Sequence, residues 1–138
     1  MKILVPIDGS GYSLKAVEYA AEFAKKYDAQ VDLLYVIVYE ANFMDSAMVV
    51  QKLGEQAAEQ ALSSAEETFA AKNADVKPNR IIETGSSAAN VIINMVAKQG
   101  YDGIMMGSKG KSNMERFLVG SVSNRVILHA PCTVTLVR

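Results

Sequence analysis

The chain has 138 residues, 50% of them hydrophobic and 21% charged, with a formal net charge of −1. That balance excludes a disordered chain and the basic footprint of a nucleic-acid binder, and the length suits one domain, 1–138, able to bury roughly two thirds of what its unfolded form exposes. No apolar run reaches the ~18 residues of a membrane span, MKILVPIDGS is too short in apolar residues for a secretory signal, and the single cysteine, Cys132, rules out an internal disulfide, so a soluble cytoplasmic protein is expected, with no membrane or nucleic-acid partner.

Residues 2–7, KILVPI, form a short apolar run with β-branched members, closed by Asp8-Gly9-Ser10-Gly11; this predicts a buried strand and a turn. Over residues 13–27, Val17, Ala20, Ala21, Ala24 and Tyr27 recur at helical spacing opposite Lys15, Glu18, Glu22 and Lys25, with Ser10 or Ser13 as the cap. Residues 30–39, QVDLLYVIVY, read as a second strand, and the apolar run from Leu33 to Tyr39 predicts burial on both faces. A long segment from about Met44 to Lys72 follows. Ala58, Leu62, Ala65 and Phe69 make its second half a helix, whereas Gly54 weakens the middle and residues 40–52 read as a mobile lead-in.

Asn79 to Thr84 is the third predicted strand, broken by Gly85. Ser86 or Ser87 caps a helix that runs to Gln99 and stops at Gly100. Residues 102–106, DGIMM, form a fourth strand, a last helix runs from Ser121 to about His129 ahead of Pro131, and Thr133–Arg138 is the fifth strand. This alternation predicts an α/β fold: a doubly wound, open, five-stranded parallel sheet of order 3-2-1-4-5 with helices on both faces, Rossmann-like in plan. Winding reverses between the first and fourth strands, where such sheets bind ligands at their carboxyl ends. Asp8 follows one of those strands and Gly107 the other.

The stretch from Met106 to Val122, MGSKGKSNMERFLVGSV, carries Gly107, Gly110 and Gly120, with Ser121 directly after. Glycines without a Cβ, together with a Gly-Ser pair opening a helix, are the parts of an anion site, and a phosphate is the natural anion. Lys109, Lys111 and Arg116 lend the loop a positive cast. Gly110-Lys111-Ser112 is not a P-loop tail, because the glycine that motif requires falls on Met105. Gly9-Ser10-Gly11 is not a dinucleotide fingerprint, because its third glycine falls on Leu14. A phosphoacceptor receiver needs an acidic pair after the first strand, and Asp8 stands alone. His129, near a helix end, and Cys132, without an evident histidine partner, read as a favourable charge and a packed thiol rather than as catalytic groups.

Gly107, Gly110, Gly120 and Ser121 match Gly, two residues, Gly, nine residues, Gly, Ser or Thr, and Pro6 and Asp8 stand in the first strand's PxD. On these residues, and on ILVPIDGS, LLYVI, GSVSNRVI and APC, the whole chain resembles the universal stress protein family in its ATP-binding branch. The resemblance implies ATP as ligand, with Mg²⁺ or Mn²⁺ as an accompanying ion and Asp8 at the adenosine end or on that ion. It implies that Gly107 and Gly110 wrap the phosphates, and that Gly120, Ser121 and Val122 present amides from the helix start. Val36 would contact adenine through its backbone, with Pro6, Ile7 and Met106 lining base and ribose. The family often has proline after the cysteine, where this chain has Thr133.

The expected function is a nucleotide-responsive regulatory or signalling module in stress response. The alternatives are a slow ATPase or phosphotransferase using Asp8 and a divalent metal, and an interaction module that no longer needs nucleotide. No base-and-finger arrangement for efficient hydrolysis is visible. The span SNMERFLV, with apolar anchors Phe117 and Leu118, reads as a movable segment that a partner could recognise. The alternating edge strand Thr133–Arg138 predicts an isologous homodimer, as does the resemblance.

Overall fold

A computed structural model describes residues 1–39, 47–110 and 119–138. Its elements run β1 (Lys2–Ile7), α1 (Gly11–Tyr27), β2 (Gln30–Val38), α2 (Ala47–Lys72), β3 (Asn79–Gly85), α3 (Ala88–Gln99), β4 (Gly103–Gly107), α4 (Ser121–His129) and β5 (Thr133–Val137). The strands form a parallel sheet of order β3-β2-β1-β4-β5, the expected topology.

Alternation along the inner strands feeds two cores. Ile3, Val5 and Ile7 of β1 pack with Val31 and Leu33 of β2 beneath α1 and α2. Leu4 and Leu34 point the other way and pack with Ile104 and Met106 of β4 against α3 and α4. A helix layer on each face is what buries both sides of such strands.

Ser10 caps α1: its hydroxyl oxygen accepts from the Ser13 N–H at 3.2 Å, and the helix begins at Gly11. Ala16, Val17, Ala20, Ala21 and Ala24 form the buried stripe, whose small side chains bring α1 close to the sheet. Tyr27, expected in that stripe, is 52% exposed and lies against the Phe23 ring instead. Ser87 caps α3 by accepting from the Asn90 N–H, and Gly100 ends it in the left-handed region.

Helix α2 corrects the sequence expectation, because it is unbroken across Gly54 and residues 47–52 belong to it. A Cβ at Gly54 would lie 2.6 Å from a methyl carbon of Ile37, so this glycine permits close helix–sheet packing that outweighs its poor helix propensity. The rest of the expected lead-in, 40–46, lies outside the described residues. The end of β2 also differs. Val38 is 50% and Tyr39 48% exposed, because the strand's last residues run past the core. Strand β3 continues through Gly85, which pairs with Val38, whereas β4 starts after Asp102.

At the amino ends of the strands, the buried Asp32 carboxylate accepts from Tyr101 Oη at 2.6 Å, Asn79 Nδ2 at 2.8 Å and Gln30 Nε2 at 3.2 Å. Lys2 lies with its ammonium 3.9 Å from Asp32 and 4.2 Å from the centre of the Tyr101 ring. This network joins β1, β2, β3 and the entry to β4 at the end of the sheet away from Gly107.

Candidate functional site

The β1–β2 register pairs Pro6 with Leu34 and Ile7 with Tyr35, which places Val36 one step beyond the end of β1. With β4 on the other side of β1, the carboxyl ends of these strands open into a cleft of about 410 Å³. Pro6, Ile7, Asp8, Val36, Met106, Gly107, Gly110, Gly120, Ser121 and Val122 all line it, so every site residue expected from the sequence reaches one place.

Asp8 is held by the turn that starts α1. Its Oδ1 accepts from the Ser10 N–H at 2.9 Å, and the buried Ser13 hydroxyl donates to the Ser10 carbonyl at 2.8 Å. That leaves Oδ2 toward Gly110, where a Cβ would stand 2.9 Å from it. Burial, and then the Asp8 charge, push the nearby Tyr35 phenol above its ordinary range and keep it protonated.

The two halves of the glycine motif close on each other. The Gly120 N–H donates to the Ser108 carbonyl at 2.7 Å, and the buried Ser123 hydroxyl donates to the Gly107 carbonyl at 2.8 Å. The Ser108 N–H donates in turn to the Val137 carbonyl at 3.0 Å, which ties the loop to β5. Gly120 therefore spends its own amide on the loop, where the sequence reading had it facing a phosphate. Its N-cap position carries no side-chain cap, so the N–H groups of the following first turn, at Ser121, Val122 and Ser123, have no intrahelical acceptor and form the positive end of α4. Gly107 also has a different reason to be glycine: a Cβ there would meet the Tyr12 backbone at 2.8 Å. Its place is under the start of α1.

Lys109, expected to lend the loop a positive cast, also lines the cleft, as do Ser13, Leu34, Tyr35, Val38, Ala88, Ile92 and Ser123, which the sequence did not mark as site residues. Ser123, one turn below Gly120, and Lys109, between the first two glycines, carried a sequence signal through their spacing. Leu34, Ala88 and Ile92 reach the cleft only through strand register and helix packing. Asp8 and Lys109 are the charged side chains lining the cleft among the described residues. No group of three or more potential metal-binding side chains occurs among the described residues. A divalent ion at Asp8 would therefore depend on phosphate oxygens and water for most of its ligands. Lys111, Arg116, Phe117 and Leu118, and with them most of the expected movable span, lie outside the described residues.

Cys132 and His129 do not line the cleft. Burial, and then the Asp102 carboxylate, push the Cys132 thiol up, the direction of an unreactive, packed cysteine. No helix among the described residues is long and apolar enough to cross a membrane.

The chain is similar to known proteins over its whole length. The model of the universal stress protein family matches residues 1–138. A universal stress protein of Methanocaldococcus jannaschii is 34% identical over 145 residues, covering 99% of this chain and 81% of that protein. The solved universal stress protein UspA from Lactobacillus plantarum has a TM-score of 0.85 and 26% identity, covering 100% of this chain and 97% of its own. A universal stress protein solved in complex with cAMP shares the fold at a TM-score of 0.78 and 20% identity, covering 100% of this chain and 97% of its own.

Proposed function

The chain belongs to the universal stress protein family, and from that premise we propose that it is a single nucleotide-binding domain that takes ATP in the cleft between β1 and β4 and acts as a nucleotide-responsive regulatory module in stress response. The observation that carries this reading is the convergence of Asp8, the Gly107–Gly110 turn and the uncapped start of α4 on one cleft. Apolar groups from Pro6, Ile7, Val36 and Met106 line the cleft together with that positive helix end, a division that suits a base and ribose joined to a phosphate chain. The relative that holds cAMP supports the choice of an adenine nucleotide at the level of the fold.

In this reading the N–H groups at Ser121 and Val122 and the Ser121 hydroxyl bind phosphate oxygens. Asp8, already oriented by Ser10, would be the side chain that holds a divalent cation accompanying the nucleotide. That cation, Mg²⁺ or Mn²⁺, would supply charge neutralisation between phosphates. Ligand state is passed on through the segment between Gly110 and Gly120, whose two ends the Gly120–Ser108 hydrogen bond holds together. Two chains associate through their 133–138 edges into an isologous dimer.

Isothermal titration with ATP and Mg²⁺ on the wild type and on Gly120→Val tests the reading. The wild type is expected to bind, and the variant, whose side chain would be forced against Lys109, to bind far more weakly. A wild type with no detectable affinity for ATP overturns it.

A further inference from the structure

Lys109 is the one cationic side chain lining the cleft among the described residues. Its backbone is fixed where the two ends of the loop meet, since a Cβ at Gly120 would come within 3.3 Å of the Lys109 Cα. Its ammonium, however, lies over the Tyr12 ring, 6.0 Å from the centroid. Lys15 approaches the same ring at 5.9 Å. Two like charges thus share one aromatic ring, each at the outer edge of the range in which a ring quadrupole attracts a cation. Tyr12 is well placed for such a role, because its backbone packs against Gly107 at the mouth of the cleft.

A shared ring at this distance is a weak partner for an ammonium. Phosphate oxygens are a strong one, offering short charge-assisted hydrogen bonds. A lysine on a flexible four-carbon stem can exchange one for the other by side-chain rotation alone, without moving the loop. The demand for it depends on the ligand. One phosphate finds the N–H groups of the first turn of α4, whereas each further phosphate adds charge that no other described cationic side chain in the cleft answers.

We propose that Lys109 is a specificity-determining residue that reads the number of phosphates: it stays over Tyr12 when the nucleotide carries one and moves to the terminal phosphate when it carries two or three. This inference rests on the nucleotide-binding reading above. It makes the site a discriminator of ATP from AMP.

The test is titration of ATP and of AMP, at one ionic strength and with Mg²⁺ present, into the wild type, Lys109→Met and Lys109→Arg. It is joined by the ring resonances of Tyr12 in tyrosine-labelled protein, assigned through Tyr12→Phe. Lys109→Met is expected to weaken ATP about tenfold and AMP by less than about twofold, and Lys109→Arg to restore ATP to within about threefold of the wild type. In the wild type the Tyr12 ring signals should shift on adding ATP and stay in place on adding AMP. Equal losses for both nucleotides, undiminished ATP affinity in Lys109→Met, or Tyr12 signals that respond alike to both would overturn the proposal and leave nucleotide binding standing. A wild type that binds neither nucleotide overturns the underlying reading, and this inference with it.

Discussion

A Cβ placed on Gly107 would come within 2.8 Å of the Tyr12 backbone, on Gly110 within 2.9 Å of the Asp8 carboxylate, and on Gly120 within 3.3 Å of the Lys109 Cα. What each would meet separates the consequences. At Gly107 the obstacle is backbone, which cannot rotate away, so Gly107→Ala should cost about 1–3 kcal/mol of stability as overpacking. At Gly110 the obstacle is the end of a side chain that can turn aside at little cost in stability. The turn would, however, take Asp8 out of position, so Gly110→Ala should leave stability nearly unchanged and weaken Mg²⁺-dependent ATP binding. Urea unfolding and titration of both variants check this. A Gly110→Ala protein as unstable as Gly107→Ala would show that Asp8 is not free to yield. None of these glycines adopts a positive φ; among the described glycines only Gly9 and Gly100 do. They are glycine because of what approaches them, rather than to allow an unusual turn.

At the scale of elements, β5 is the sheet edge next to α4, and its exposed backbone groups can be assigned. The Val137 carbonyl accepts from Ser108, so the groups of Val137 face β4, and by alternation along the strand those of Val134 and Leu136 face outward. Val134→Pro would remove an outward N–H and leave the ladder to β4 intact. In light scattering the wild type is expected to be a dimer and this variant a monomer with unchanged helix content; a variant that still dimerises would move the interface off the strand. Elements of this kind were legible because strands buried on both faces and helices with an apolar stripe leave clear periods in the sequence. What was not legible depended on neighbours distant in the chain. By propensity Gly54 weakens the middle of α2, and only the nearness of Ile37 on β2 explains why a glycine stands there. Ser10 and Ser13 were equal candidates to cap α1 until the hydrogen bonds separated them, Ser10 as the cap and Ser13 as its buried support. In the cleft, the glycine spacing and Asp8 were visible in advance. The capture of the Gly120 amide by Ser108 was not, since no local pattern encodes that contact.

Across the whole molecule, the sheet separates the cleft at the carboxyl ends of the strands from the Asp32 network at the amino ends. Burial, the largest single influence on Asp32, pushes its carboxyl up. The hydrogen bonds from Tyr101, Asn79 and Gln30 and the Lys2 charge together outweigh it and hold the group below its ordinary value. Tyr101 is displaced upward by burial and by its bond to the same carboxylate. An acid whose folded pKa is depressed adds stability that is present above its unfolded value and lost as pH falls through its folded value. The network should therefore stabilise the fold fully at neutral pH and progressively less in acid, below the ordinary carboxylate range. Tyr101→Phe removes a donor to a buried carboxylate and should cost about 1.5–3 kcal/mol near pH 7. The deficit should shrink as Asp32 becomes protonated, because a neutral carboxyl needs that donor less. The cleft lies at the other end of the strands, so ATP affinity in this variant should stay within about twofold of the wild type, since substitutions at well-separated sites act independently. Chemical denaturation across pH, with ATP titration at pH 7, measures both quantities. A deficit that does not vary with pH would remove Asp32 ionisation as its cause. A matching loss of ATP affinity would mean that the two ends of the sheet are coupled.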